Sequence, residues 1–309
     1  MRKPLDSMRI IHWASGADMP RNLPISDPQP DPGLLGPDSL TWLLHEEQWL
    51  ILSGARAFLM QAAHPIVAQG ALDHSAFAKD PFGRVYRTIQ GMAVLIFGTT
   101  AEANAMARHI NLLHHTVQGT LPENIGRYKA GEHYSAMEPL ALLWVHIAFV
   151  DSLLTAYQTF VGPLTPEQRE QYWQESCRYA RHLGLTDATL PASYVAAQQH
   201  IRDALPSGEI AIGTAAQFIA REVLFPRLPL LRRPLWMIVR IITIGQLPPD
   251  IRKAYGLRWN IAHRTGFQMA RAATHLLRRL FPNALGKAPL VGFARSRAKG
   301  ELQQHVQVV

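Results

Sequence analysis

The sequence predicts an all-α fold, a single large helical domain. Three observations predict it. Apolar residues recur at helical spacing through most of the chain, no run sustains period-two alternation, and helix caps and stops break the pattern into helix-sized pieces.

Residues 1–38 read as an extended leader, poorly ordered or surface-wrapping. Pro20, Pro24, Pro28, Pro30, Pro32 and Pro37 crowd it, with Asp and Gly between them. Its start is basic, at Arg2 and Lys3, but it has no apolar run of signal-peptide length. Helical spacing begins at Ser39, an N-cap, and runs to Ser53–Gly54. A second helix follows from Ala55 into the His64–Pro65 pair, and residues 65–78 continue to a turn at Asp80–Pro81. Arg84 to Phe97 carries Val85, Ile89, Met92, Leu95 and Ile96 at helical spacing, and Gly98 stops it. The next helix runs from Thr100 or Glu102 to Val117, with a seam of Met106, Ile110, Leu113 and Val117. A loop follows from Gly119 to Met137, and across the whole chain strands are not expected beyond a short hairpin.

Pro139 sits in the first turn of a long apolar helix to Phe160. Thr165, Pro166 and Gln168 spell N-cap, N1 and N3, and Gly184 is the C′ stop. Further helices are expected over 193–204, 211–224, 234–245, 249–254 and 259–281. The helical domain is bounded at 39–284, and residues 285–309 form a loose basic tail.

A chain of 309 residues buries a sizeable core without a disulfide or metal staple. One cysteine, Cys177, excludes a disulfide framework and a Cys-rich zinc or iron–sulfur site. The net charge of +8 is uneven: residues 221–309 hold 16 basic and 3 acidic side chains. Such a surplus suits nucleic acid or an anionic membrane surface. No nucleic-acid recognition motif accompanies it, so nucleic acid is not an expected partner. The most apolar stretch, Leu235 to Ile244, contains Arg240 and is bounded by prolines. It is shorter than the roughly 20 residues a spanning helix needs. A buried helix is expected there, with interfacial association as the alternative. These features point to a cytoplasmic protein with an optional peripheral membrane contact.

No phosphate loop, HExxH or GxSxG motif occurs. Instead, several of the 14 histidines lie on or beside apolar helices: His64, His74, His109, His114, His115 and His146. Arg84, Arg87 and Thr88 share one helical face at i, i+3, i+4, with no acid within a turn. Guanidiniums so placed suit a distant acid or a ligand's carboxylate or phosphate. His114, beside the apolar seam, is placed as a haem axial ligand would be, or as a hydrogen-bonded core histidine. His146 sits amid the apolar helix 139–160 and reads as a core histidine that donates to a backbone carbonyl. Glu138 and Asp151 are the natural acids for neighbouring Arg or His. His64, His74, His114 and His146 together allow a non-haem metal site, and the apolar content with the basic end allows a lipid-binding protein without catalysis.

Eight stretches in order carry a resemblance. They are GPDSLTWLLH (36–45), LMQAAHPIVAQGALDHSAF (59–77), DPFGRVYRT (80–88), FGT (97–99), HHTVQG (114–119), EPLALLWVHIAFVDSLL (138–154), FVGPLTPEQREQYWQE (160–175) and LPPDIRKAYGLRW (247–259). The chain resembles the family of the latex-clearing rubber oxygenases and the fungal membrane-bound oxygenase of mycophenolic acid biosynthesis. The resemblance implies an all-α domain with a globin-like core, a b-type haem, and cleavage of olefinic bonds in an apolar polyisoprenoid with dioxygen. It implies that His114, first residue of H-x-x-V, ligates iron, and that Arg84 and Thr88 hold propionates and line the pocket. Arg87 stands where the rubber oxygenases carry a lysine, Asn111 and Gln118 where they carry arginines, and His146 where they carry a threonine. Near His64 and His74 the chain has Gln61, Gln69 and Asp73 and no counterpart to their glutamate. The expected site is therefore His114 on iron, with Arg84, Arg87, Thr88 and His146 around the cofactor and Arg87, His64 and His146 as catalytic candidates. His146 remains open as a second axial ligand or a distal donor.

Overall fold

The structure is a computed structural model. It describes residues 31–74, 81–281, 294–295 and 297–298. The side chains at 81, 82 and 84–86 lie outside that set, as do most of the leader and most of the tail.

The described residues form one all-α body. Helix α1 (Leu40–His45) is followed by a 3-10 turn (Gln48–Ser53), α2 (Gly54–Ala62), α3 (Pro65–His74), α4 (Pro81–Phe97) and α5 (Thr100–Thr116). A small hairpin of β1 (Gln118–Thr120) and β2 (His133–Ser135) comes next, with Gly119 opposite Tyr134. Then follow α6 (Pro139–Phe160), α7 (Pro166–His182), α8 (Tyr194–Ala204), α9 (Thr214–Leu224), a 3-10 turn (Leu230–Arg232), α10 (Arg233–Gln246), α11 (Pro249–Ala254) and α12 (Ile261–Leu280).

The predicted helix over 39–53 is two pieces. Ser39 caps α1 through Trp42 N, and the buried Glu175 of α7 accepts from Leu40 N, Thr41 N and Thr41 Oγ1. This docking sets the direction of α1. The chain then turns at Glu46–Glu47 and lays Leu50 against α6. α2 and α3 meet at a bend of 106°, because Pro65 starts a new helix and cannot extend the old one. α7 has the capping box read from the sequence, with Thr165 and Gln168 bonding each other's backbone, and Gly184 beyond it takes φ 99°.

α6 is the centre of the core. Its buried residues meet α2, α7 and α8 through Leu143, Trp144, Ile147, Val150 and Leu154. Among the described residues it is the single helix long and apolar enough to cross a membrane on its own. Most of it is buried inside the protein, so its apolarity serves the core. One polar knot crosses this core. Arg56 is 2% exposed and bonds Asp151 Oδ2 (2.5 Å), Ser152 Oγ (2.5 Å) and Gln246 O (2.8 Å). Tyr194 donates to the other Asp151 oxygen at 3.1 Å, so α2, α6, α8 and α10 share one knot.

Two parts of the surface differ from expectation. The last residues of the leader are docked: Asp31 accepts from Thr100 N and Oγ1 at 2.8 Å, and Leu35 packs with Trp42 and Phe97. The tail read as loose is also held in part. Ala294 is buried in the same cluster, Arg295 pairs with Glu46, and Arg297 reaches Glu102 (3.4 Å) and Phe97 O (2.5 Å). Glu46 at the end of α1 and Glu102 in the first turn of α5 hold these arginines. The helix over 234–245 is buried only in its second half. Ile242 and Ile244 enter the core, while Leu235, Met237 and Ile238 stay about half exposed or more.

Candidate active site

α4 and α5 form an antiparallel pair joined at Gly98–Thr99. Thr99 starts α5 with a capping box to Glu102. A Cβ at Gly91 would lie 3.8 Å from Met106 Sδ and 4.0 Å from Ile110 Cδ1, so the missing side chain lets the helices approach closely. From this crossing, equal steps away from the turn lie side by side. Arg84 is thereby level with His114, and Arg87 and Thr88 lie one turn nearer the loop. The Arg84 side chain is outside the described residues. Arg87 and Thr88 are exposed, and His114 is half-buried in the last turn of α5.

Large apolar side chains surround this end. Leu112 is 68% exposed, Leu113 52% and Ile89 40%. α3 closes one side. Gly70 fits under Val117, His74 Nε2 lies 2.9 Å from Gln118 O, and Tyr134 donates to Asp73 at 2.6 Å. Asn111 donates to His182 O at 2.9 Å and ties α5 to α7.

The other candidate histidines sit elsewhere. His64 is at the α2–α3 corner, a whole helix from His74, which is about 15 Å at 1.5 Å per residue. It is fully buried. Its Nε2 lies 3.1 Å from the Tyr128 hydroxyl, and Arg127 Nη2 donates to the same oxygen at 3.4 Å. The hydroxyl proton is thus free to face His64. Glu209 lies beyond, bonded to His200 at 2.8 Å and 3.9 Å from Arg127. The sequence reading missed Tyr128, Glu209 and His200. They come from three separate loops and helices, and no spacing rule links residues 64, 128 and 209. Beside this corner lies a small cavity lined by Pro65, Ala68, Leu121, Ile125 and Ala215, with room for about one water.

His146 is 6% exposed. Its ring packs against Trp173 (5.2 Å) and Tyr179 (5.7 Å) of α7. Ser176 Oγ donates to Trp173 O at 2.7 Å, which uses its one proton. The 3.2 Å contact from Ser176 Oγ to His146 Nε2 therefore has the imidazole as donor. Asp151, one of the two acids noted near these histidines, is taken by Arg56. Glu138 precedes α6 as its N-cap. Among the described residues, no three His, Cys, Asp or Glu side chains converge as a metal ligand set.

Burial drives both deep imidazoles to the neutral form. It pushes the His146 pKa down to about 3. It pushes His64 to about 4, against a smaller opposing pull from Glu209. In the unfolded chain both return to about 6.5. The folded protein thus binds fewer protons below pH 6.5, and stability falls as pH drops from 6.5 toward 4. Each histidine contributes a loss of about 1.4 kcal/mol per pH unit in that window. Thermal melts at pH 7 and pH 5.5 should show a lower midpoint at pH 5.5. The drop should shrink in His146→Leu, and equal midpoints at both pH values would refute the assignment.

A family model described as "ER-bound oxygenase mpaB/B'/Rubber oxygenase, catalytic domain" matches residues 41–279. The chain belongs to this family. The match runs from α1 nearly to the end of α12 and includes every candidate residue above. No curated protein and no solved structure matches the chain. Membership makes this the catalytic domain of an oxygenase-family enzyme, with dioxygen and an oxidisable substrate as its reactants.

Proposed function

We propose that the protein is a haem b-dependent oxygenase acting on an apolar, isoprenoid-like substrate by oxidative cleavage or oxygenation. The observation that carries this is the donor set at the open end of α4–α5. One imidazole lies in the last turn of α5, with a guanidinium and a hydroxyl about one turn away on α4, amid apolar side chains left exposed. That combination fits haem b, whose iron takes an imidazole, whose propionates take charged and hydroxyl donors, and whose ring takes an apolar surface. Haem would supply dioxygen binding and activation.

His114 would hold the haem iron. His146 is less suited, because its Nε2 carries the proton given to Ser176 and its ring is enclosed by α7. Arg84, Arg87 and Thr88 would hold the propionates. His146 fixes the α6–α7 contact behind the pocket. His64, neutral and facing the Tyr128 hydroxyl, sits buried at the α2–α3 corner, where the two groups share one hydrogen bond. Leu112, Leu113 and Ile89 offer the apolar surface that admits substrate and excludes water.

The visible spectrum of the purified protein tests this reading. A Soret band and a stoichiometric b-type haem are expected, either as isolated or after haem addition. Dioxygen uptake with a polyisoprenoid should follow. Failure to take up haem at all would refute the assignment.

A further inference from the structure

A second surface lies on other elements, between the end of α9 and the first turns of α10. Every residue from 229 to 235 is exposed. Within that run Leu230 is 74% exposed, Leu231 96% and Leu235 66%; Ile238, one turn on, is 48% exposed. Leaving so many contiguous aliphatic side chains in water is unfavourable unless a partner covers them. Arg227, Arg232 and Arg233 are exposed among them. From Phe225 to Arg240 there are four arginines and no acidic residue.

The tip is held in shape and is not a loose end. Trp236 Nε1 donates to Val223 O at 3.2 Å, and Arg233 Nε donates to Leu228 O at 3.3 Å. The Arg240 guanidinium lies over the Phe225 ring at 4.8 Å. α12 packs along α10, with the Phe267 ring against Gly245. It exposes a similar mixture: Met269, Leu276 and Leu280 with Arg264, Arg271 and Arg279.

The charge decides among occupants. A second copy of this tip would bring like charges together. An anionic bilayer offers both complements at the right depths, phosphates for the guanidiniums and an acyl boundary for the leucines. We propose that this tip docks the protein on an anionic phospholipid bilayer. Leu230, Leu231 and Leu235 enter the headgroup–acyl boundary, and Arg227, Arg232 and Arg233 take lipid phosphates. This mode needs no spanning helix and uses none of the α4–α5 residues.

Co-sedimentation of the full chain with vesicles tests it. Vesicles of phosphatidylcholine mixed with phosphatidylglycerol should bind the protein, and vesicles of phosphatidylcholine alone should bind it weakly. High salt should weaken the anionic binding. The triple change Leu230→Ser, Leu231→Ser and Leu235→Ser should lower affinity at least about tenfold. Arg227→Gln with Arg232→Gln should sharply reduce the preference for phosphatidylglycerol. Because these side chains are exposed, both variants should keep the wild-type circular dichroism and melting midpoint. No binding to anionic vesicles, or undiminished binding by the triple-serine variant, would overturn the proposal. So would lipid-free self-association that the serine changes abolish, since the tip would then be a protein–protein face.

Discussion

His114→Ala is expected to remove haem from the protein. The purified variant should show no Soret band after haem addition, while its far-ultraviolet spectrum stays helical. The side chain is half-buried in the last turn of α5, where alanine is well tolerated by the helix. Dioxygen uptake should fall by on the order of 100-fold or more, since loss of even an outer partner of a metal ligand costs about 10–100-fold. The comparison variant is His146→Leu. It should retain the Soret band, because the His146 ring contacts Trp173, Tyr179 and Ser176 and its Nε2 is a donor there. The opposite pattern, with haem kept by His114→Ala and lost by His146→Leu, would move the iron to α6. Arg87→Ala should give a milder result, near a tenfold weaker haem affinity, from the loss of one charge-assisted hydrogen bond.

Asp151→Ala should be among the most damaging single changes to folding. It leaves the Arg56 guanidinium buried at 2% exposure with its charge unpaired, and leaves the Tyr194 hydroxyl without its acceptor. Removing one partner of a buried pair costs about 3–5 kcal/mol. In a chain of this size that lowers the thermal midpoint by roughly 6–10 °C. The double change Arg56→Met with Asp151→Leu should recover much of the loss, because no charge is then left buried. A double variant as unstable as Asp151→Ala would show that packing, and not the stranded charge, sets the cost.

Local rules account for the elements that the sequence predicted well. The Thr165–Gln168 capping box, Pro139 at the start of α6 and Gly184 after α7 act within a few residues of themselves. Their outcome hardly depends on the rest of the chain. The Arg84, Arg87 and Thr88 face was legible for the same reason, since it is a property of one helix. The exposure of Arg87 was not, because burial depends on which helices cover α4. His64 shows the limit more sharply. Its neighbours Tyr128 and Glu209 come from positions 64 and 145 residues away, and only the packing of α3 against the loops brings them near. The tail misled in the same way. Its composition reads as loose, yet Glu46 and Glu102 lie where Arg295 and Arg297 can reach them.

The sequence by itself determined an all-α domain, most of its helix ends and the family of its catalytic domain. Periodicity, caps and ordered motifs are local, and they survive in the linear chain. The tertiary structure decided which polar residues are buried and what they touch. It took Asp151 for Arg56, turned His146 toward Ser176 and lifted Leu230, Leu231 and Leu235 into water. Burial is a property of neighbours, and neighbours distant in sequence exist only once the chain has folded.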